Sequence, residues 1–382
     1  MNRLETRQKR ERKRSKGRES FFAAILLAAG ILAACSGDGT SPATSTSSPG
    51  QAEESQSAGG ELSGELNVFN WSEYLPASVI QKFEEEYKVK LNYSTYSSNE
   101  EMLAKLSVSS GNYDIAVASD YMVDLMRKQG LLEEIDFSHI PNIKNIGAEF
   151  LNKPFDPEGK LSVPYMWGNV VIAVNTDKVK VPIESYRDLW RPELRNSLVV
   201  LDDSRTLIGI ANKLQGKSMS ETDPQVLEKT RQMLIELKPN IKAFDSDSPK
   251  TMLATGEATV GVVWGAEASL ARRENPAVKT VLPKEGMQLW QDNFVIPKGA
   301  KNKRLAEEFI NFILRPEISA EISKDFPYAN PNIAAHELID KEILEDPAVY
   351  PPSEELAKGE YLIDLGQAAV EFDRIWSEIK LE

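Results

Sequence analysis

The chain holds one cysteine, Cys35, and two histidines, His139 and His336, among its 382 residues. A lone thiol closes no intramolecular disulfide even where the compartment permits one, and it excludes cysteine-based zinc and iron–sulfur sites. The two histidines do not stand at metal-ligand spacing, and no Gly-x-Ser-x-Gly elbow occurs. Metallohydrolase and serine-hydrolase chemistry therefore lack their residues, while a carboxylate-pair hydrolase is left open by composition alone. Long apolar runs are scarce: none after Ala34 is long enough to span a membrane. No internal repeat stands out. Positive charge is in deficit, with 45 Lys and Arg against 58 Asp and Glu, which disfavours nucleic acid and anionic lipid as partners and mildly attracts a cation.

What positive charge there is gathers at the start. Residues 1–20 carry nine Lys or Arg and three Glu, and fourteen apolar or small residues follow, 21–34, before Cys35. A basic segment before a short apolar core is the pattern of an export signal, so 1–34 is expected to be a leader. The ending Leu32-Ala33-Ala34-Cys35 resembles a lipobox, which implies that Cys35 is lipidated and becomes the new N-terminus. A plain signal peptide with an accidental cysteine, or an uncleaved anchor, are the alternatives. Residues 35–64 are dominated by Ser, Gly, Thr, Pro, Ala and Glu and bury too little surface to offset ordering, so they read as a flexible tether. Losing the leader takes nine basic and three acidic residues from 45 and 58 and leaves a net charge of about -19.

From Glu65 the chain alternates short β-rich runs with longer amphipathic stretches. Residues 65–70, 90–93 and 113–118 read as strands, and 76–87, 100–108 and 121–129 as helices, the first opened by Pro76. A loop region with Pro141, Pro154, Pro157 and Pro164 precedes a strand at 169–175. The alternation then restarts: strands 198–201, 259–264, 280–282 and 289–296, with helices 206–214, 225–237, 303–314, 316–323 and 367–380. Such alternation predicts an α/β fold with parallel sheets covered on both faces. Two such units joined by extended segments near Asn169 and Trp290 predict two lobes, 65–168 plus 292–337 and 169–291 plus 338–382.

Ligands of open α/β sheets sit beyond the carboxyl ends of strands, and here those ends repeat one theme. Val68-Phe69-Asn70-Trp71-Ser72-Glu73-Tyr74 closes the first strand with two aromatics, a hydroxyl and a carboxylate. Ser119, Asp120 and Tyr121 follow the third; Asp202 and Asp203 follow 198–201; Trp264 ends 259–264; Trp290 and Asp292 lie on the proposed hinge strand, and Tyr328 comes later. Aromatic faces and carboxylates together suit an aliphatic chain bearing ammonium groups. Each cation–π contact contributes about 0.5 to 2 kcal/mol, and charge-assisted hydrogen bonds hold the ends. Simpler roles compete. Asp202 or Asp203, and Ser119 or Asp120, suit helix caps; Trp264 and Trp290 suit packing; Glu73 suits a solvated turn; Trp190 and Trp376 are assigned to packing.

Phe69-Asn70-Trp71-Ser72-Glu73-Tyr74, Tyr93-Ser94-Thr95-Tyr96-Ser97-Ser98-Asn99-Glu100, Leu151-Asn152-Lys153-Pro154-Phe155-Asp156-Pro157, Pro164-Tyr165-Met166-Trp167-Gly168 and Pro283-Lys284-Glu285-Gly286 resemble the spermidine/putrescine-binding proteins of polyamine ABC importers. The resemblance runs from Glu65 to Lys380. It implies a two-lobed periplasmic-binding-protein fold (type II), with hinge segments and a mixed or parallel sheet in each lobe, closing on its ligand. It implies a cleft of Trp71, Ser72, Glu73, Tyr74, Ser119, Tyr121, Asp203, Thr206, Ser246, Trp264, Trp290, Asp292 and Tyr328. On that resemblance Asp292 and Asp203 hold ammonium groups, Trp264, Trp290 and Tyr328 box the methylenes, and Ser119 bonds a terminal amine. Two positions depart from it: Thr206 stands where spermidine-preferring members carry a second carboxylate, and Leu362 where they carry a glutamine. Both losses predict a shift from spermidine toward putrescine or a monoamine-like cation, unless Glu73, Asp120 or Asp364 supplies the charge.

The function so implied is capture of a polyamine outside the cytoplasm and delivery to an ABC permease. The protein is expected to be a monomer lipid-anchored through Cys35 at the outer face of the cytoplasmic membrane, with no cofactor, metal, nucleic acid or covalent chemistry. The alternative is a solute-binding lipoprotein for an amino acid, thiamine or a metal ion such as ferric iron. An amino acid's carboxylate calls for an arginine, for which Arg205 is the nearby candidate, and iron favours clustered tyrosine, histidine and carboxylate.

Overall fold

The computed structural model describes residues 64–108 and 111–381, and these fall within one compact unit. The expected leader, Cys35 and almost all of the tether lie outside them. Ten strands organise the chain: β1 (Glu65–Trp71), β2 (Lys90–Tyr96), β3 (Ile115–Ser119), β4 (Ser162–Asn175), β5 (Leu198–Val200), β6 (Ile241–Phe244), β7 (Val260–Trp264), β8 (Val278–Val281), β9 (Gln288–Val295) and β10 (Glu360–Tyr361).

Two half-sheets meet on β4. In the first the order is β2-β1-β3-β9-β4, and in the second β4-β7-β5-β6, with β8 on the other side of β4 and β10 beside β9. Strands separated by helices run parallel, β1 with β2 and β3, and β5 with β6 and β7. The long β4 and β9 instead run antiparallel to their neighbours β3 and β7 and to each other. The alternation of strand and helix thus foretells the parallel pairs, and the two returning strands make each half mixed.

All fourteen residues of β4 are buried, as are all eight of β9, which is why both lack a polar face. The sequence places the start of β4 at 169 because Pro164 weakens the earlier part as a strand. The register shifts between Pro164 and Met166, so a local irregularity takes the proline and the strand begins at Ser162. Residues 162–169 pair with β9 and 170–174 with β7. The change of partner falls beside the Gly168–Trp290 and Asn169–Leu289 pairs.

Each half-sheet has its own helical cover. Helix Ala77–Tyr87 is apolar on one side, and its Phe83 stands edge-on to Phe309 of helix Lys303–Ile313, ring centroids 5.0 Å apart. On the second half, Leu207 and Leu227 of helices Ser204–Lys213 and Pro224–Leu237 pack into one core with Phe372 of Ala369–Leu381. Trp190 donates its indole N–H to the Met233 carbonyl at 2.7 Å, and Trp376 stands edge-on to Phe244 at 5.4 Å. Strand β6 and helices Pro249–Thr255 and Gly265–Glu274 escape the sequence reading. The Ile241–Phe244 run is short and half-buried, and Gly265, at the start of a helix directly after β7, resembles a breaker. Its glycine is required by packing, since a Cβ there would lie 2.0 Å from the Ala348 carbonyl oxygen. No helix among the described residues is long and apolar enough to cross a membrane.

Candidate functional site

The carboxyl ends of β1, β3, β5, β6 and β7 converge with β9 on one cleft, open to solvent on one side. Trp71, Ser72 and Tyr74 come from β1, Ser119 and Tyr121 from β3 and the helix Asp120–Lys128 after it, Asp203 from β5, Ser246 from β6 and Trp264 from β7, while Trp290 and Asp292 come from β9 and Tyr328 from a later loop.

Asp292 is the centre of the polar wall. It lies opposite Ser119 in the β3–β9 ladder, so the Ser119 hydroxyl donates to its Oδ1 at 2.6 Å, and the Tyr74 hydroxyl donates to Oδ2 at 2.8 Å. Burial pushes the Asp292 carboxyl up to about 6, and the two hydroxyl donors pull the other way. Burial likewise pushes Asp120 up to about 8, against the amide N–H groups of Tyr121 and Gln291 that it accepts. Asp203 is raised too, chiefly by burial. Its Oδ1 accepts the Thr206 amide at 2.9 Å, capping helix Ser204–Lys213, so capping and lining the cleft fall to one residue. Asp202 instead meets Lys380 at 2.7 Å.

Next to this polar wall the lining is aromatic. Trp264 stands edge-on to Trp290 at 6.0 Å, Trp290 is T-shaped to Tyr328 at 5.6 Å, and Tyr328 is T-shaped to Tyr74 at 5.0 Å. Buried polar atoms among the lining residues, Ser246 Oγ and the indole nitrogens of Trp71 and Trp290, have no protein partner. A carboxylate with two hydroxyl donors, set among indole and phenol rings, offers acceptors and π-faces to an alkyl cation.

Two expected residues stand elsewhere. Thr206 is fully buried and donates its hydroxyl to Gln288 Oε1 at 2.8 Å, because its place in the first turn of the helix turns it behind Gln288, which lines the cleft. Glu73 has a left-handed backbone, φ 48°, and its carboxylate swings out to Lys250 at 2.5 Å. Arg205, the candidate for a carboxylate ligand, lies 4.5 Å over the Tyr121 ring and donates to the Ile363 carbonyl at 2.6 Å, and is not in the lining.

The residues match a known family model, bacterial extracellular solute-binding protein, over 78–351. A spermidine/putrescine-binding periplasmic protein of Salmonella typhimurium is 41% identical over 317 residues, 82% of this chain and 91% of that protein. The chain belongs to this family of bacterial solute-binding proteins. A putrescine-binding periplasmic protein of Escherichia coli, PotF, is 31% identical over 82% of this chain and 91% of its own length. Among solved structures, the spermidine/putrescine ABC transporter substrate-binding protein PotD of Streptococcus pneumoniae superposes with a TM-score of 0.71 at 37% identity, over 83% of this chain and 99% of that one. A lipoprotein of Treponema pallidum, TpPotD, gives 0.74 at 30% identity over 83% and 100%. The two-lobed binding-protein fold of the family is the fold of this chain.

Within this family fold, the cleft of this chain also takes in Ser97, Asn99, Asp120, Asp247, Gln288 and Leu362. Asn99 donates its Nδ2 to the Ser119 hydroxyl at 3.0 Å and to the Tyr121 hydroxyl at 3.1 Å, orienting both. Its signal was its seat at the start of a helix next to a strand end. Gln288 carried none: a polar residue in an apolar strand does not reveal which way it faces. Leu362 does reach the cleft, at the position where the resemblance led to a glutamine.

Proposed function

We propose that this protein captures a polyamine, preferring putrescine to spermidine, between two lobes and delivers it to an ABC permease. The observation that carries this is Asp292, a buried carboxylate held by two hydroxyls and set among aromatic rings. One ammonium bonds Asp292 and Ser119. The methylenes lie against Trp264, Trp290 and Tyr328, and the second ammonium meets Asp203. A buried ammonium needs a counter-charge; Gln288 and Leu362 bring none to the lining, burial pushes the Asp120 carboxyl up to about 8, and Asp247 is already bonded to Ser72, which disfavours a third.

The lobes are 65–168 with 292–337 and 169–291 with 338–382, hinged near Asn169 and Trp290. Cys35 carries the lipid, and residues 35–64 let a monomeric protein reach its permease from the outer face of the cytoplasmic membrane. The protein binds and releases without covalent chemistry and needs no cofactor.

Calorimetric titration of a soluble form from Glu65 with putrescine, spermidine, spermine, γ-aminobutyrate and thiamine, at one salt concentration, tests this. One-site binding of putrescine at micromolar strength or better, tighter than spermidine, is the expected result. Binding of thiamine or γ-aminobutyrate alone would move the ligand class and leave the fold.

A further inference from the structure

Beside the cleft lies a charge cluster that the ligand model above leaves unused. Lys250 Nζ stands 2.5 Å from Glu73 Oε2 and 3.2 and 3.4 Å from the two oxygens of Glu267. Glu267 is deeply buried, its side chain 4% exposed, and Lys250 is 16% exposed. A buried carboxylate without a counter-charge is costly, and here the protein supplies the cation itself. The cluster adjoins the lining directly: Glu73 sits between Ser72 and Tyr74, Lys250 three residues after Asp247, and Glu267 three after Trp264. Tyr328 of the aromatic wall feels both carboxylates, which help burial push its hydroxyl up.

Resting on the polyamine reading, we propose that Lys250 sets the ligand's charge count: its ammonium occupies the Glu73–Glu267 carboxylate pair that would otherwise take an added ammonium of a longer polyamine. A lysine side chain is an alkylammonium, chemically the end of a polyamine, so it competes for the same oxygens from within the protein. The pair offers two carboxylates to one cation, and with Lys250 seated it is not free to compensate a ligand's third charge. Remove the lysine and the pair is left as a strong cation site next to the cleft.

The test is Lys250→Met, with Lys250→Gln as a second variant in case packing matters, each titrated calorimetrically with putrescine and spermidine beside the wild type. The spermidine-to-putrescine affinity ratio is expected to rise tenfold or more, to stay near the wild-type value in Lys250→Arg, and to return to it in the double variant Lys250→Met/Glu73→Gln. A ratio that rises less than threefold in both neutral variants, or a parallel loss for the two ligands, overturns the proposal and leaves Lys250 a mere clasp. Wild-type protein that binds no polyamine overturns the ligand reading itself, and that outcome is seen before any variant is made.

Discussion

On the proposed reading, Asp292 decides whether the cleft can hold a cation at all. Asp292→Asn keeps the shape and the hydroxyl partners and removes the charge, which leaves a bound ammonium unpaired. Breaking a buried charge pair costs about 3–5 kcal/mol, so polyamine affinity should fall at least a hundredfold by calorimetry, while the ligand-free variant melts no lower than wild type. The same burial fixes a pH dependence. Asp292 and Asp120 have an ordinary value of 3.8 and are raised to about 6 and about 8, and Glu267 goes from 4.5 to about 7. For acids raised in the folded state the folded protein keeps protons that the unfolded chain has lost, so these groups stabilise less as pH rises from about 4 to about 8. A cation favours the charged form, so binding near pH 6 expels protons. Titrations in two buffers of unlike ionisation enthalpy should therefore differ in apparent enthalpy, with a smaller difference in Asp292→Asn. Equal enthalpies in the wild type would mean that the carboxyl is already charged in the free protein.

At the scale of elements, helix caps and strand crossings hold the walls. Asp203 caps helix Ser204–Lys213 and lines the cleft, and asparagine caps as well as aspartate. Asp203→Asn should therefore hold the melting temperature and weaken putrescine binding about tenfold or more, as loss of a charge-assisted bond implies; a drop in stability without a change in affinity would assign Asp203 to the helix alone. Where β4 changes partner, a Cβ on Gly168 would stand 2.5 Å from Trp290 Cζ2, so Gly168→Ala must push the indole toward the cleft and lower affinity. Much of this arrangement was legible. Strand ends announce themselves by an apolar run that stops at a polar or aromatic residue, which is how Trp71, Ser72, Tyr74, Ser119, Tyr121, Asp203 and Trp264 were legible, whereas Ser246, after the missed β6, was named only through the family resemblance. Thr206 and Glu73 did not follow, since helix phase turned one behind Gln288 and a positive φ turned the other toward Lys250. Antiparallel β4 and β9 were not legible either, because a fully buried strand looks alike in both directions.

At the scale of the molecule, the question is what shuts the cleft. In the structure it is bridged: the Ser72 hydroxyl donates to Asp247 Oδ1 at 2.6 Å, joining the turn after β1 to the segment after β6, and Glu73–Lys250 spans the same gap. These bonds join residues more than 170 positions apart, 72 with 247 and 73 with 250, and on the proposed lobe boundaries they cross from one lobe to the other. A neutral hydrogen bond contributes about 0.5–1.5 kcal/mol net and one to a charged group about 1.5–3 kcal/mol. If the proposed lobes move apart, the Ser72–Asp247 bond breaks, so it should act on release and not on encounter, as differences between related complexes usually do. Ser72→Ala is expected to raise the dissociation rate of putrescine about threefold to a hundredfold, with the association rate nearly unchanged, in stopped-flow tryptophan fluorescence, where Trp264 and Trp290 report occupancy. Small-angle scattering supplies the independent check: the ligand-free protein should have the larger radius of gyration and contract on putrescine. An unchanged radius together with an unchanged dissociation rate in Ser72→Ala would mean that the cleft is rigid and that the bridge is surface decoration.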